Sequence, residues 1–185
     1  MTDPNYVVDG ILTDGDSLVP IEATSLAGVS GLQWDTGTGT KNWSQYEDLL
    51  IIATNKNTTN NAMTLAFNGL GGSNYTQYQY IMGNGTTVSA GDAVATYGYL
   101  HWGQAPGPSG AVARISGINS QSFTKCISQL MDTRGSSAGW SGLYATTFLY
   151  YWGIHRIDLD FGGGTGSTGS KAWLYGILPR MGLVS

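Results

Sequence analysis

Apolar and aromatic runs of about five to nine residues recur from residue 49 onward between clusters of Gly, Asn and Ser, at the spacing typical of a β-sandwich or barrel. Two of these runs alternate apolar and polar positions with period two, as a half-buried strand does. The predicted strands are 49–53, 63–67, 77–82, 94–102, 111–118, 123–131, 143–152, 154–161 and 172–178. The alternation predicts six core residues, namely Met63, Leu65, Phe67, Ile157, Leu159 and Phe161.

The composition favours an ordered all-β protein. The 185 residues are 41% hydrophobic but only 11% charged, less than half of the roughly 25% usual in soluble domains. Disordered chains combine low hydrophobicity with high net charge, whereas this chain has a net charge of −4 beside 6 Trp and 11 Tyr. The 28 Gly, with abundant Thr, Ser and Asn, disfavour helix interiors. We therefore expect an antiparallel β-sandwich and exclude helix bundles and coiled coils.

The sequence also limits the compartment and the partners. It contains no apolar stretch of the roughly 20 residues that a transmembrane helix needs, and its first residues do not resemble a secretory signal. We therefore expect synthesis in a cytoplasm and no membrane partner. The 8 Lys and Arg are scattered and the sequence pI is about 4.8, so we expect no nucleic-acid partner. The single cysteine, Cys126, cannot form an intrachain disulfide.

Charge divides the chain near residue 40. Residues 1–40 hold six acidic residues and no Lys or Arg. This pattern predicts an extended acidic N-terminal arm over 1–40, followed by a β-sandwich domain over 41–185. The arm could be a flexible terminus, an ordinary first hairpin, or a strand that pairs with the edge of another chain. In the last case its apolar patches would contact the partner, and they are Tyr6, Val7, Val8, Leu18, Val19 and Ile21.

A dense aromatic cluster lies between residues 140 and 152. Three consecutive rings at its end must point to both sides of a strand, so one side either contacts another subunit or stays exposed as a binding platform. We favour subunit packing. Because exposed Tyr and Trp rings also stack on sugars, a carbohydrate-binding surface is the alternative. The candidate interface residues of this cluster are Trp140, Tyr144, Tyr150, Tyr151 and Trp152.

Candidate catalytic and metal-binding patterns are weak. His101 and His155 have no Cys, His or carboxylate cluster at ligand spacing. Asp158 and Asp160 share a strand face and could bind Ca²⁺ or act as an acid and base, but Arg156 on the same face favours charge pairing. We therefore expect no catalytic residue, no cofactor and no metal site.

The triplet at residues 35–37, Asp-Thr-Gly, is the one found in aspartic proteases. Their mechanism needs two such aspartates that share one proton. The preceding Gln33 and Trp34 do not form the apolar strand that would bury this pair. The triplet is therefore interpreted as a chance match, and we predict that the protein is not an enzyme.

Three stretches resemble segments that recur in virion proteins of tailed phages, especially phages of cyanobacteria and other aquatic bacteria. They are MTLAFNGLGGSNYTQYQYIMGNG (63–85), SGAVARISGINSQSFTKCISQ (109–129) and YYWGIHRIDLDFGGGTGSTGSKAWLYGI (150–177). The likeness spans most of residues 49–178 and is specific to a structural family. The chain departs from it after Phe-Asn-Gly, where Leu70 stands in place of the usual Asp.

The resemblance implies a jelly-roll-like β-sandwich, usually trimeric, that serves as a capsid cement or decoration protein or as a module of a tail fibre. We expect a capsid decoration protein, a homotrimer on the capsid exterior that binds across major capsid proteins. One sandwich in 185 residues, with no repeats or heptads, suits this role better than a complete fibre. The alternative is a receptor-binding tail fibre or tip module that recognises host surface polysaccharide.

Overall fold

The strand pattern of the sequence is realised as an all-β fold. In the computed structural model, the described residues are 7–8, 11–12, 18–37, 43–56, 62–70, 76–83, 88–95, 97–102, 108–119, 124–132, 140–149, 153–161 and 164–178. The strands are β1 (Val7–Val8), β2 (Ile11–Leu12), β3 (Leu18–Ser25), β4 (Gly31–Asp35), β5 (Asp48–Lys56), β6 (Ala62–Phe67), β7 (Thr76–Gly83), β8 (Val88–Ala95), β9 (Gly98–Trp102), β10 (Pro108–Ser116), β11 (Thr124–Asp132), β12 (Trp140–Phe148), β13 (Arg156–Asp160) and β14 (Lys171–Ile177). A short 3₁₀ turn spans Trp43–Gln45.

The strands form two large antiparallel sheets. One sheet has eight strands in the order β3-β14-β5-β10-β11-β12-β7-β8, and the other has four in the order β4-β13-β6-β9. The pair β1-β2 forms a separate two-stranded sheet. From β3 to β7 the chain changes sheet at every strand, and it does so again on either side of β9 and on either side of β13. The pairs β7–β8 and β11–β12 are antiparallel neighbours that widen the eight-stranded sheet.

The core lies between the two sheets, which confirms the predicted β-sandwich. Every second residue of β5, β6 and β13 is buried, because alternate side chains of a strand point to opposite faces. The six predicted core residues are all at most 2% exposed. Phe67 of the four-stranded sheet meets Phe148 of the eight-stranded sheet edge to face, with ring centroids 5.3 Å apart.

Strand β9 packs closely across the wider sheet. Strand β9 contacts β10, β11, β12 and β7. At the crossing, a Cβ built on Gly98 would lie 2.7 Å from the Cγ2 and Oγ1 atoms of Thr146 in β12. Only glycine fits there without a shift of the neighbouring strand, so the sequence sets the sheet separation at this point.

The prediction of one strand over 94–102 is wrong. Strand β8 ends at Ala95 in the eight-stranded sheet, and β9 begins at Gly98 in the other sheet. Residues 94–102 are mostly apolar or aromatic on both sides of this break. Their pattern therefore does not mark the point where the chain leaves one sheet for the other.

The structure corrects the predicted boundary at residue 40. Strand β3 pairs with β14 along the edge of the eight-stranded sheet, and β4 pairs with β13 at the edge of the four-stranded sheet. Leu26 and Trp34 are 0% and 1% exposed in the core. Residues 18–35 therefore belong to the sandwich. Composition misled here because the two acidic residues of this stretch that the structure describes, Glu22 and Asp35, lie in β3 and β4, whose inner apolar residues pack in the core.

Candidate functional site

An open cavity lies on the outer face of the four-stranded sheet, above β6. Its volume is about 270 Å³. Strands β13 and β6 supply part of its wall, the turn after β6 another part, and the residue before β9 the rest. The lining residues are Thr64, Ala66, Gly69, Leu70, Tyr97, Arg156 and Asp158. We call it the β6 cavity.

An ion pair forms the polar side of the β6 cavity. The Nε atom of Arg156 donates to both carboxylate oxygens of Asp158, at 2.8 and 3.0 Å, and its Nη2 atom lies 2.7 Å from Asp158 Oδ1. The hydrogen bond to Asp158 raises the pKa of Arg156 above its ordinary value, so the guanidinium stays charged. This confirms the charge pairing that the alternation of β13 predicts.

A tight turn after β6 shapes the next part of the wall. Asn68 and Gly69 have φ values of 57° and 65°, and the N–H of Leu70 donates to the Phe67 carbonyl at 3.0 Å. Two consecutive positive φ values are the geometry of a type I′ turn, which favours Asn-Gly. A Cβ on Gly69 would lie 3.1 Å from Nη1 of Arg156, so the bare glycine lets the guanidinium lie against the turn.

The side chain of Asn68 ties this turn to the start of β13. Its Oδ1 atom accepts from the N–H groups of His155 and Arg156, at 2.9 and 3.2 Å. Its Nδ2 atom donates to the Gly153 carbonyl at 3.0 Å. Its own N–H donates to the Arg156 carbonyl at 2.8 Å. One asparagine thus fixes the backbone that presents the ion pair to the cavity.

The aromatic side of the cavity is Tyr97, which is 36% exposed. Its ring meets that of Tyr99 edge to face, with centroids 5.6 Å apart and an interplanar angle of 85°. The ring of Tyr99 in turn lies 5.9 Å from that of Tyr144, which is 2% exposed. This series of rings supports Tyr97 from the core and leaves its other side facing the cavity.

The surroundings of the cavity are negatively charged. Register places Asp35 beside Arg156, and Asp158 and Asp160 follow along β13 on the same face. Among the described residues of this row, three carboxylates lie near one guanidinium. Asp35 also accepts from the N–H of Gly37, so the Asp-Thr-Gly triplet closes an ordinary turn at the end of β4.

A second feature lies on the opposite side of the molecule, on the outer face of the eight-stranded sheet. Directly paired residues of antiparallel strands point to the same face. Register therefore places Trp173, Ile52 and Val112 in one row across β14, β5 and β10. We call the whole set the outer apolar face, and it consists of Leu18, Leu50, Ile52, Val112, Leu143, Trp173, Tyr175 and Ile177.

This face is partly open to solvent. Leu18 is 49% exposed, and Val112 and Leu143 are each 43% exposed, while the other five members are half-buried. An antiparallel sheet with one solvated face normally alternates apolar residues inside with polar residues outside. Here β5 and β14 carry apolar residues on both faces, and those on the outer face are Leu50, Ile52, Trp173, Tyr175 and Ile177. A row of apolar residues this wide on the outside of a sheet is typical of a surface that contacts another protein.

One ion pair lies within the outer apolar face, because register pairs Arg114 with Leu50 and Asp48 with Ile177. Arg114 donates from Nε to Asp48 Oδ2 at 2.7 Å, its Nη2 atom lies 2.6 Å from the same oxygen, and Ser116 Oγ contacts that oxygen at 3.2 Å. The side chain of Asp48 is only 5% exposed, whereas that of Arg114 is 59% exposed. The buried carboxylate is therefore neutralised, which keeps the face free of uncompensated negative charge at this end.

The structure separates the predicted interface residues. Leu18 lies on the outer apolar face, whereas Val19 and Ile21 pack against the core, and β3 pairs with β14 along one of its two edges. The prediction that Tyr144 lies at an interface is also wrong, because this side chain is buried between the sheets. Val7, Val8 and Trp140 lie in strands, but their side chains are outside the described part. The remaining predicted residues, Tyr6, Tyr150, Tyr151 and Trp152, lie outside the described residues.

Sequence reasoning did not find the β6 cavity or the outer apolar face. The residues that line the cavity come from three segments that are far apart along the chain, so no local motif predicts it. The outer apolar face could have been suspected from β5 and β14, where LLIIA and AWLYGI are continuous apolar runs rather than alternating ones.

In the described part of the chain, no three His, Cys, Asp or Glu side chains come together as a metal site. Within the same ranges, no helix has the length and apolar character needed to cross a membrane. His155 is exposed, and the side chains of His101 and Cys126 are outside the described part.

Comparisons of the chain with protein-family models, with curated proteins and with solved structures give no match.

Proposed function

We propose that this protein is a structural component of a tailed-phage virion, a capsid decoration protein that assembles as a homotrimer on the capsid exterior and binds across major capsid proteins. The observation that carries the proposal is the outer apolar face. A role in assembly needs a large contact surface and no reaction, and this face supplies such a surface on a rigid sheet.

The strand order supports the jelly-roll part of the proposal. When β7–β8 and β11–β12 are set aside, four strands remain in each sheet, in the orders β3-β14-β5-β10 and β4-β13-β6-β9. A jelly roll consists of eight strands in two such sheets, and it is common in viral capsid and lectin domains. The extra hairpins would then be additions that widen one sheet. Since one fold has many functions, this order alone does not specify a role.

We assign the outer apolar face to contact between copies of this chain. From β3 to β12 it crosses five inter-strand spacings, about 24 Å, and strands of seven to nine residues are roughly 23 to 30 Å long. The resulting sheet area of about 550 to 720 Å², which also includes Arg114, Asp48 and Gln129, is close to the roughly 800 Å² that each partner buries in a standard interface. Three sheets that turn this face toward a common axis would shield it from water in a closed assembly.

Native mass spectrometry and sedimentation of the purified chain test the contact between copies. We expect a trimer for the natural sequence and a monomer for Val112→Asp, because the new carboxylate would lose its hydration in this contact while the neighbouring guanidinium of Arg114 is already paired with Asp48. Val112 is 43% exposed, so the substitution should leave the fold intact. Val29→Asp is the matched control, because Val29 is 37% exposed but lies outside the outer apolar face.

A monomer for the natural sequence, a dimer, or a trimer that tolerates Val112→Asp would each contradict this assignment. The capsid role has its own test, which is quantitative mass spectrometry of purified virions. About one copy per major capsid protein, with loss of shell stability when the protein is stripped off, is the expected result. A ratio below about a tenth would place the protein on the tail and overturn the decoration role.

A further inference from the structure

We infer that the β6 cavity is a binding site for a neutral hexose unit of a polysaccharide. The inference goes beyond the assembly role and does not depend on it, because the cavity and the outer apolar face lie on different sheets. Its basis is the combination of an exposed aromatic ring, a planar ion pair and a floor of small residues in one open cavity.

The width of the cavity suits a single sugar ring. Asp158 pairs with Ala66, and Gly98 pairs with Leu65, so Tyr97 continues the register on the other side of Ala66. Asp158 and Tyr97 are therefore two strand spacings apart, about 9.6 Å. Alanine leaves the space between them empty. The volume of about 270 Å³ is just below the roughly 300 Å³ at which sites for larger, drug-sized ligands begin.

The walls offer the two kinds of contact that a pyranose needs. The apolar C–H face of the sugar can pack on the ring of Tyr97, which is supported from behind by Tyr99. The hydroxyl groups can accept from the guanidinium of Arg156 and donate to the carboxylate of Asp158. The ion pair uses Nε and Nη2 of the guanidinium, and Nη1 lies on the side of the Asn68–Gly69 turn that borders the cavity.

Local charge favours a neutral ligand over an acidic one. The only cation among the described residues of this row is Arg156, and Asp158 already neutralises it. Asp35 and Asp160 add negative charge on the same face. A uronate or a phosphate would therefore meet repulsion beside the cavity, whereas hydroxyl groups would meet a fixed donor and a fixed acceptor.

Titration calorimetry and saturation-transfer NMR on the full chain test the site. The probes are hexasaccharides of glucose, galactose and mannose, the three free monosaccharides, and a galacturonate hexamer as the acidic comparison. We expect at least one neutral hexasaccharide to bind with a dissociation constant of about 1 mM or below. Tyr97→Ala should weaken that binding at least tenfold, while Tyr97→Phe, which keeps the ring, should stay within about twofold of the natural protein.

Ala66→Leu supplies a second, independent variant, because it fills the floor and leaves every polar group in place. It should also weaken binding at least tenfold, with circular dichroism showing an unchanged fold. Absence of binding by all neutral hexasaccharides at about 10 mM would overturn the inference. It would equally be overturned by stronger binding of the galacturonate, by binding of monosaccharides alone, or by affinity that survives both Tyr97→Ala and Ala66→Leu. None of these outcomes bears on trimer formation.

Discussion

At the residue scale, Asn68 has the most connected role in the described structure. It is the only residue other than glycine with a positive φ within the described ranges, and its side chain bonds to three backbone groups at the start of β13. Asparagine tolerates this conformation better than other residues with a Cβ, and its amide has both a donor and an acceptor. The turn and the strand that carry the ion pair therefore depend on one side chain.

Replacement of Asn68 should separate its two contributions. Asn68→Ala loses the three side-chain bonds and strains the backbone, and we expect it to lower the free energy of unfolding by about 2 to 4 kcal/mol. Asn68→Gly loses the bonds but relieves the backbone, so it should cost about 1 to 2 kcal/mol less than the alanine variant. Urea denaturation measures both. Equal stability of the two variants would refute a role for the backbone conformation.

At the element scale, the crossing of β9 over β12 determines how closely the two sheets pack. Gly98 lies directly against Thr146 at this crossing. Protein interiors are packed densely enough that one added methyl group must displace its neighbours. The crossing is therefore less tolerant of substitution than Gly110 in β10, whose Cβ would meet nothing closer than 3.7 Å.

Gly98→Ala should lower the free energy of unfolding by about 1 to 3 kcal/mol, because the new methyl group would clash with Thr146. Thr146→Ala in the same chain should recover part of this loss, and a double-mutant cycle measures that coupling. Gly110→Ala is the matched control, since its Cβ would meet nothing closer than 3.7 Å. It should leave stability unchanged or slightly raised. Equal effects of the two glycine substitutions would rule out steric control at the crossing.

The elements also show what the sequence could and could not predict. Alternation identified β6 and β13 and their core faces, because one side of each strand is apolar and the other is polar or small. It failed for 94–102, where apolar residues on consecutive positions hid a change of sheet. It also failed for Leu18–Ser25, whose place in the sandwich depends on pairing with a strand at the other end of the chain. Long-range pairing of this kind leaves little trace in local pattern.

The β6 cavity could not be predicted for a related reason. Arg156 and Asp158 were identified as a charge pair, but Tyr97 and Ala66 have no distinguishing neighbours in the sequence. Only the order β13-β6-β9 places them side by side. Tyr144 was assigned to an interface because the aromatic residues around it are too many for one face. Its burial depends on Tyr99, which a different strand supplies.

At the scale of the whole molecule, the sandwich should protect even exposed basic residues from trypsin. The side chain of Arg114 is 59% exposed, but its backbone is paired on both sides, with β5 and with β11. Cleavage requires the strand to leave the sheet, so the rate at Arg114 should follow global unfolding and rise with urea in parallel with it. Peptide mapping by mass spectrometry measures this rate. Fast cutting at Arg114 in the absence of urea would contradict the central position of β10.

The place of β14 in the eight-stranded sheet has a consequence for how the chain folds. This strand lies between β3 and β5, so Ser25 finds its partner Lys171 only after most of the sequence has been synthesised. Until then β3 has no neighbour in the sheet and one edge of β5 remains unpaired. Forming contacts between such distant residues is slow, because the chain loses conformational entropy before the strand pairing contributes any stabilising free energy. In the nascent protein, two strands therefore have open edges with which other nascent copies could pair, and the yield of folded protein should fall as the concentration of nascent copies rises.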